Sequence, residues 1–226
     1  MAKPAWCGQD AGVPFARMFV AVVAGAGGLA AGCKVKDPPP IAAPWSDVFE
    51  RDDVGGNWNA TGSGYRVVSG TLSAHGAKNH PLWLRRKLPR DVRIDFDAWS
   101  NEARGDIKVE VFGDGSSFDP DGGAYRPTGY EVIFGGWYNS KSMIARLDEH
   151  GDDMVQRNDL KVVAKQKYHW RIERKGARLT WFIDDLEKPF LVYDDPAPLV
   201  GDGHESFAIN NWETDTYFDN VTVTPL

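Results

Sequence analysis

From about Trp45 to Leu226, apolar and polar residues alternate in short runs separated by Gly, Pro, Asn and Asp. Period-two alternation puts one set of side chains on each face of a β-strand, and the intervening clusters supply turns. In Arg93-Ile-Asp-Phe-Asp-Ala-Trp99, Ile94, Phe96 and Ala98 fall on one face and Arg93, Asp95, Asp97 and Trp99 on the other. Asp106–Phe112 places Ile107, Val109 and Val111 together, and Gly129–Gly135 does the same for Tyr130, Val132 and Phe134. The pattern returns in Tyr168–Glu173, Leu179–Asp184, Phe207–Asn210 and Tyr217–Val223. Arg174-Lys-Gly-Ala-Arg178 predicts a tight hairpin in which Gly176 takes positive φ. Leu147–Val163 fits no period and reads as loop or weak strand, and no stretch has the 3.6-residue period of a long amphipathic helix. Many short strands with regular turns predict an all-β, two-sheet antiparallel sandwich in one domain over 45–226.

The first forty residues follow a different rule. Lys3 and Arg17 precede an apolar or Gly run from Met18 to Ala31, which ends in Ala30-Ala-Gly-Cys33. That run is shorter than the roughly 20 residues a membrane span needs and matches the apolar core of a signal peptide. The small residues before Cys33 resemble a bacterial lipobox, although Ala30 stands where Leu is usual. The resemblance implies a cleaved signal peptide over 1–32 and lipidation of Cys33, and hence an exported, membrane-anchored lipoprotein at the cell envelope or surface. Residues 33–44 contain Pro38, Pro39, Pro40 and Pro44 and read as an extended tether without packed structure. The other cysteine, Cys7, leaves with the signal peptide, so disulfides and thiolate metal sites are excluded from the domain. Its stability must come from a core, which about 180 residues can supply. The net charge of −6 comes without a basic stripe, which argues against nucleic acid as a partner and leaves the lipid anchor as the membrane contact.

Trp45-Ser-Asp-Val-Phe-Glu, Gly55-Gly-Asn-Trp58 and Tyr65–Leu72 together resemble the opening of concanavalin A-like lectin/glucanase domains. Tyr217–Val223 is similar to their closing strand, while Gly129-Tyr-Glu131 and Trp170–Gly176 resemble the 3-keto-disaccharide hydrolase branch. The resemblance implies a jelly roll whose curved sheet binds glycans in a groove. It also implies a structural calcium ion near the chain ends, with Asp47 and Asp219 as candidate ligands. An enzyme of the keto-sugar type would use Glu131 as a base removing a proton beside a keto group, helped by His169 or His204. The glucanase mechanism is excluded differently. It needs Glu-x-Asp-x-x-Glu, with two carboxylates about 5–5.5 Å apart. Here Glu50-Arg-Asp52 and Glu213-Thr-Asp215 are followed by Gly55 and Phe218 instead of the second Glu.

The polar strand faces carry Asp95, Asp97, Trp99, Lys108, Glu110, Glu131, Arg171 and Glu173. If these strands are neighbours, carboxylates and bases collect on one surface and suit sugar hydroxyls. The alternative is a solvated face of cross-strand ion pairs, each worth little. Of nine Trp, Trp58, Trp170 and Trp181 alternate with core positions, whereas Trp137, with Tyr138, and Trp212 sit in loop-like settings where a ring can stack on a pyranose. The expected function is binding of polysaccharide or cell-wall glycan through Trp99, Trp137, Tyr138, Trp212, Asp95, Asp97, Glu110 and Arg171. A hydrolase or lyase on modified sugars and a laminin G-like protein-binding module are the alternatives.

Overall fold

The computed structural model describes residues 37–118 and 125–226. Signal segment, lipobox and Cys33 lie outside the described residues. The remainder forms strands β1 (Trp45–Asp47), β2 (Trp58–Ala60), β3 (Tyr65–Val68), β4 (Thr71–His75), β5 (Leu82–Leu84), β6 (Val92–Ser100), β7 (Ile107–Gly113) and β8 (Tyr130–Gly135). A single turn, α1 (Gly136–Asn139), leads to β9 (Lys141–Arg146), β10 (Met154–Arg157), β11 (Tyr168–Lys175), β12 (Arg178–Ile183), β13 (Leu191–Asp194), β14 (Ser206–Asn210) and β15 (Asp215–Pro225). Each alternating run becomes a strand within one or two residues of its expected limits. The difficult stretch 147–163 yields only the short β10, and Gly176 turns the β11–β12 hairpin at φ +60°.

The strands pair antiparallel in two sheets. Sheet I runs β13-β12-β11-β6-β15-β4-β3, with β1 also on β15; sheet II runs β10-β9-β8-β7-β14-β5-β2. The fold is a two-sheet antiparallel β-sandwich. Its core is the inward set from both sheets: Ile94, Phe96, Trp170, Ile172 and Trp181 meet Val109, Val132, Phe134 and Phe207. Trp170 and Trp181 are fully buried with ring centroids 4.6 Å apart, and Phe134 meets both edge-on. Aromatic pairs in this geometry add to their area burial, and truncating a buried Trp to Ala costs roughly 3–5 kcal/mol. Trp58, Trp170 and Trp181 are core residues, as their alternation predicts.

The tether expectation needs correction at its C-terminal end. The Ile41 N–H donates to the Lys87 carbonyl, the Lys87 N–H donates to the Pro39 carbonyl, and Ile41 is 5 % exposed within the core. Extended backbone favoured by the preceding prolines suits pairing along an edge as well as spanning a gap. Packed structure therefore begins before Trp45.

Candidate functional site

Neighbouring strands do not gather all the polar candidates on one surface, because the order of strands divides them between two opposite outer faces. Asp95, Asp97 and Trp99 on β6 and His169 and Arg171 on β11 point outward from sheet I, where the two strands are adjacent. Lys108 and Glu110 on β7 and Glu131 on β8 point outward from sheet II. Facing sheets lie about 10 Å apart with the core between them, so His169 cannot assist Glu131.

The sheet I face is an ion-pair lattice. Arg171 Nε donates to Asp95 at 2.7 Å, Arg93 Nε to Glu173 at 2.7 Å, and His169 Nδ1 lies 2.9 Å from Asp97. Trp99 stacks on Tyr217 at 5.3 Å, and Lys167 covers the indole at 4.6 Å. These side chains satisfy one another across strands, as partly exposed pairs do at small energetic gain. His204 is separate again, with Nδ1 3.3 Å from the Phe112 carbonyl. Asp47 accepts from Arg51 at 2.6 and 2.8 Å, from Trp58 Nε1 at 2.8 Å and from the Phe49 N–H at 3.0 Å. Burial opposes its ionisation, but the Arg51 and Trp58 hydrogen bonds outweigh that and hold its carboxyl below the usual range. Asp47 is thus paired with Arg51, and Asp219 faces Lys167 at 4.0 Å. Among the described residues no three His, Cys, Asp or Glu side chains converge as metal ligands.

The sheet II face is unusual because it is buried. Every residue of β7 and β8 is inaccessible, including Lys108, Glu110 and Glu131. Glu110 and Glu131 are cross-strand partners, flanked on the same row by Ala145 and Ala208. Glu110 accepts from the Tyr125 hydroxyl, the Thr128 N–H and hydroxyl, and the Gly129 N–H. Burial raises its pKa to about 7, against the pull of those donors. Glu131 is 0 % exposed and neither oxygen has a hydrogen-bond partner among the described residues. Desolvation pushes its pKa well up; Lys108 opposes this, and Glu149, Glu110 and Asp106 add to it. Beside the pair, Lys108 Nζ donates to Glu149 at 2.8 Å and Asn79 at 3.0 Å.

Over the Lys108 end of this face, loops from five connections enclose a cavity of about 320 Å³. Its floor is Lys108, Glu149, Asn79 and Asp106; Trp137, Tyr138 and Trp212 supply aromatic wall, and Arg104, His150, Glu213 and Thr214 complete the lining. The loops are tied to each other through backbone. The Lys78 N–H donates to the Trp212 carbonyl at 2.8 Å, and the Asp106 N–H donates to the Gly135 carbonyl at 2.9 Å. The Trp212 N–H in turn donates to Asp106 Oδ2 at 2.9 Å. At Gly105, φ is +77° and a Cβ would lie 2.3 Å from the Gly135 carbonyl oxygen, so only glycine permits this closure.

The aromatic wall rests on a backbone that its side chains disfavour. Trp137, Tyr138 and Asn139 follow one another at φ +50°, +58° and +61°. Left-handed backbone costs roughly 1–2 kcal/mol per L-residue. The Asn139 amide holds the turn by donating to the Ala103 and Val162 carbonyls at 2.9 and 2.8 Å. Trp137 packs on a small apolar cluster of Ile133, Met143 and Ala145 and carries Lys141 Nζ 3.8 Å from its ring. Tyr138 is 81 % exposed, with Arg104 over its ring at 5.2 Å. Of the expected glycan contacts, Trp137, Tyr138 and Trp212 therefore meet at one cavity. Glu110 and Glu131 lie on the same face, whereas Asp95, Asp97, Trp99 and Arg171 lie on the other sheet. Asn79, Arg104, Asp106 and Glu149 were not legible as site residues, since they come from separate loops without a shared spacing.

No protein-family model matches the chain, and no curated protein matches it either. Solved structures do. A carbohydrate-binding module, CBM66 from Bacillus subtilis, superposes with a TM-score of 0.54 at 14% identity, covering 74% of this chain and 95% of the module. A glycosyl hydrolase-type protein from Parabacteroides distasonis gives 0.53 at 11%, covering 79% and 92%. The exoplasmic/lumenal domain of VIP36, determined with Ca2+ and Man3GlcNAc bound, gives 0.58 at 10%, covering 80% and 88%. At these identities the likeness establishes the jelly-roll fold.

Proposed function

We propose that this chain is an exported, lipid-anchored surface protein that binds a polysaccharide or cell-wall glycan in the cavity above sheet II. One observation carries the reading: Trp137 and Tyr138 are held at the cavity wall by consecutive left-handed residues, with Tyr138 left open to solvent. Backbone strain and an exposed aromatic ring are both unfavourable to folding alone, and such outliers collect where a ligand is clamped. A flat ring beside polar groups suits a sugar, whose faces are apolar and whose rim donates and accepts hydrogen bonds. About 320 Å³ lies at the small end of ligand sites, enough for one or two sugar rings of a longer chain. Several sandwiches of the same fold bind carbohydrate, which agrees with this use of the surface. The export and anchor halves of the proposal rest on the Met18–Ala31 run and the lipobox-like residues before Cys33.

The test is a glycan array followed by calorimetry, comparing wild type with Trp212→Ala and with Asp97→Ala on the sheet I face. Binding that falls about tenfold or more in Trp212→Ala, with unchanged melting temperature, and that persists in Asp97→Ala supports the site. Loss in Asp97→Ala alone would move the site to sheet I; no binding to any glycan would sink the reading.

A second reading, a hydrolase or lyase on modified sugars, is favoured by one feature: Glu131 is a buried carboxyl beneath the same face, without a hydrogen-bond partner among the described residues. Turnover of a keto-glycoside by wild type, abolished in Glu131→Gln, would establish it; unaltered binding without turnover would remove it.

A further inference from the structure

The cavity's carboxylates are not equivalent. Glu149 is matched to Lys108 at 2.8 Å, and Glu213 faces Arg104 at 3.5 Å. Asp106 also lines the cavity and is only partly buried, so it is reachable from inside it. Its one hydrogen bond to the described residues is to the Trp212 N–H, through Oδ2, and no Lys, Arg or His among them pairs with it. It too is left-handed, at φ +63°. A recessed carboxylate without a direct ion pair is costly, and burial raises the pKa of Asp106 against the pull of Lys108, the Trp212 N–H and, more weakly, Arg104. On the same wall Thr214 is 3 % exposed, and its Oγ1 has no partner among the described residues. Trp137, Tyr138 and Trp212 add π-faces around these groups. Aromatic faces combined with an unmatched carboxylate are the arrangement that recognises an ammonium group.

We propose that the sugar seated in this cavity carries a free, protonated amine, with Asp106 as its counter-ion, so that the ligand is a de-N-acetylated amino-sugar polymer. The inference rests on the glycan-binding reading above and names its ligand class. The amine would lie between the Asp106 carboxylate and the aromatic wall, with Thr214 Oγ1 as a further acceptor. An N-acetyl group at the same place would bring a neutral amide with one N–H in place of a cation, leaving Asp106 without its charge partner.

The experiment measures binding of the full chain to tetrasaccharides of glucosamine, of N-acetylglucosamine and of glucose, for wild type and Asp106→Asn. Asn tolerates left-handed backbone and keeps an oxygen for the Trp212 N–H, so the variant removes charge and little else. Wild type should prefer the glucosamine oligomer by about tenfold or more, and Asp106→Asn should erase that preference while retaining its melting temperature. Equal or tighter binding of the acetylated or glucose oligomer by wild type overturns the inference and leaves glycan binding standing. So does a preference that survives in Asp106→Asn. Failure of all three oligosaccharides to bind wild type overturns the inference, and the glycan-binding reading falls with it only if the glycan array is blank as well. Should Asp106→Asn unfold, 0.5 M salt on wild type replaces it: selective weakening of the glucosamine oligomer is expected, and an unchanged preference overturns the inference.

Discussion

Glu131 and Glu110 face each other across β7 and β8 with no water-accessible surface, and only Glu110 is supplied with donors. Two carboxyls so placed cannot both ionise cheaply. In the folded chain they keep protons that an unfolded chain releases in the ordinary carboxylate range. The native state therefore binds more protons than the unfolded one between about pH 4.5 and the raised folded values, about 7 for Glu110 and higher than usual for Glu131. Stability from this pair is complete below that window and falls as pH rises through it. Glu131→Gln keeps the shape and removes the ionisable group. Urea unfolding should show the variant level with wild type at pH 5 and more stable by about 1–3 kcal/mol at pH 8. Equal curves at both pH values would mean that Glu131 ionises freely where it stands. The sequence could mark Glu131 as a lone carboxylate among Tyr130, Val132 and Ile133. It could not show that loops seal the outer face of its sheet, because alternation of polar and apolar residues reads as one buried and one wet face.

The turn after β8 carries the conflict between stability and binding. Gly135-Gly136 announces a turn in the sequence, but Trp137 and Tyr138 are poor residues for left-handed backbone, which only Asn139 of the three tolerates, and nothing local predicts that they adopt it. Tyr138→Gly should relieve that strain. Thermal unfolding is expected to shift upward, by about 1 kcal/mol in stability, while glycan affinity drops because the exposed ring is gone. A variant that is less stable and binds normally would show that Tyr138 serves packing alone. The strands themselves were largely legible for a simple reason: each buries one face against a common core, and period two records that directly. Pairing order was not. Residues of β6 and β11 share one sheet and those of β7 and β8 the other, and local alternation is identical in both. That is why a single polar surface expected from the pattern separates into an ion-pair lattice on sheet I and a sealed, cavity-bearing face on sheet II.

At the scale of the whole molecule, the sandwich and the proposed anchor place different demands on the chain. The domain has no cysteine after Cys33, so its stability rests on packing, and a thiol at position 33 has no disulfide partner within it. Among the described residues, Pro39 and Ile41 already pair with Lys87. The proposed acylation can be tested without reference to binding. Stable attachment takes two or more acyl chains, since one gives only reversible association. Cys33→Ala should abolish incorporation of radiolabelled fatty acid and move the protein from the membrane pellet to the soluble or secreted fraction. Because the substitution touches neither the core nor the cavity lining, the melting temperature and glycan affinity of the released protein should match those of wild type extracted in detergent. Continued sedimentation of Cys33→Ala with membranes would sink the lipoprotein reading and leave the glycan site untouched.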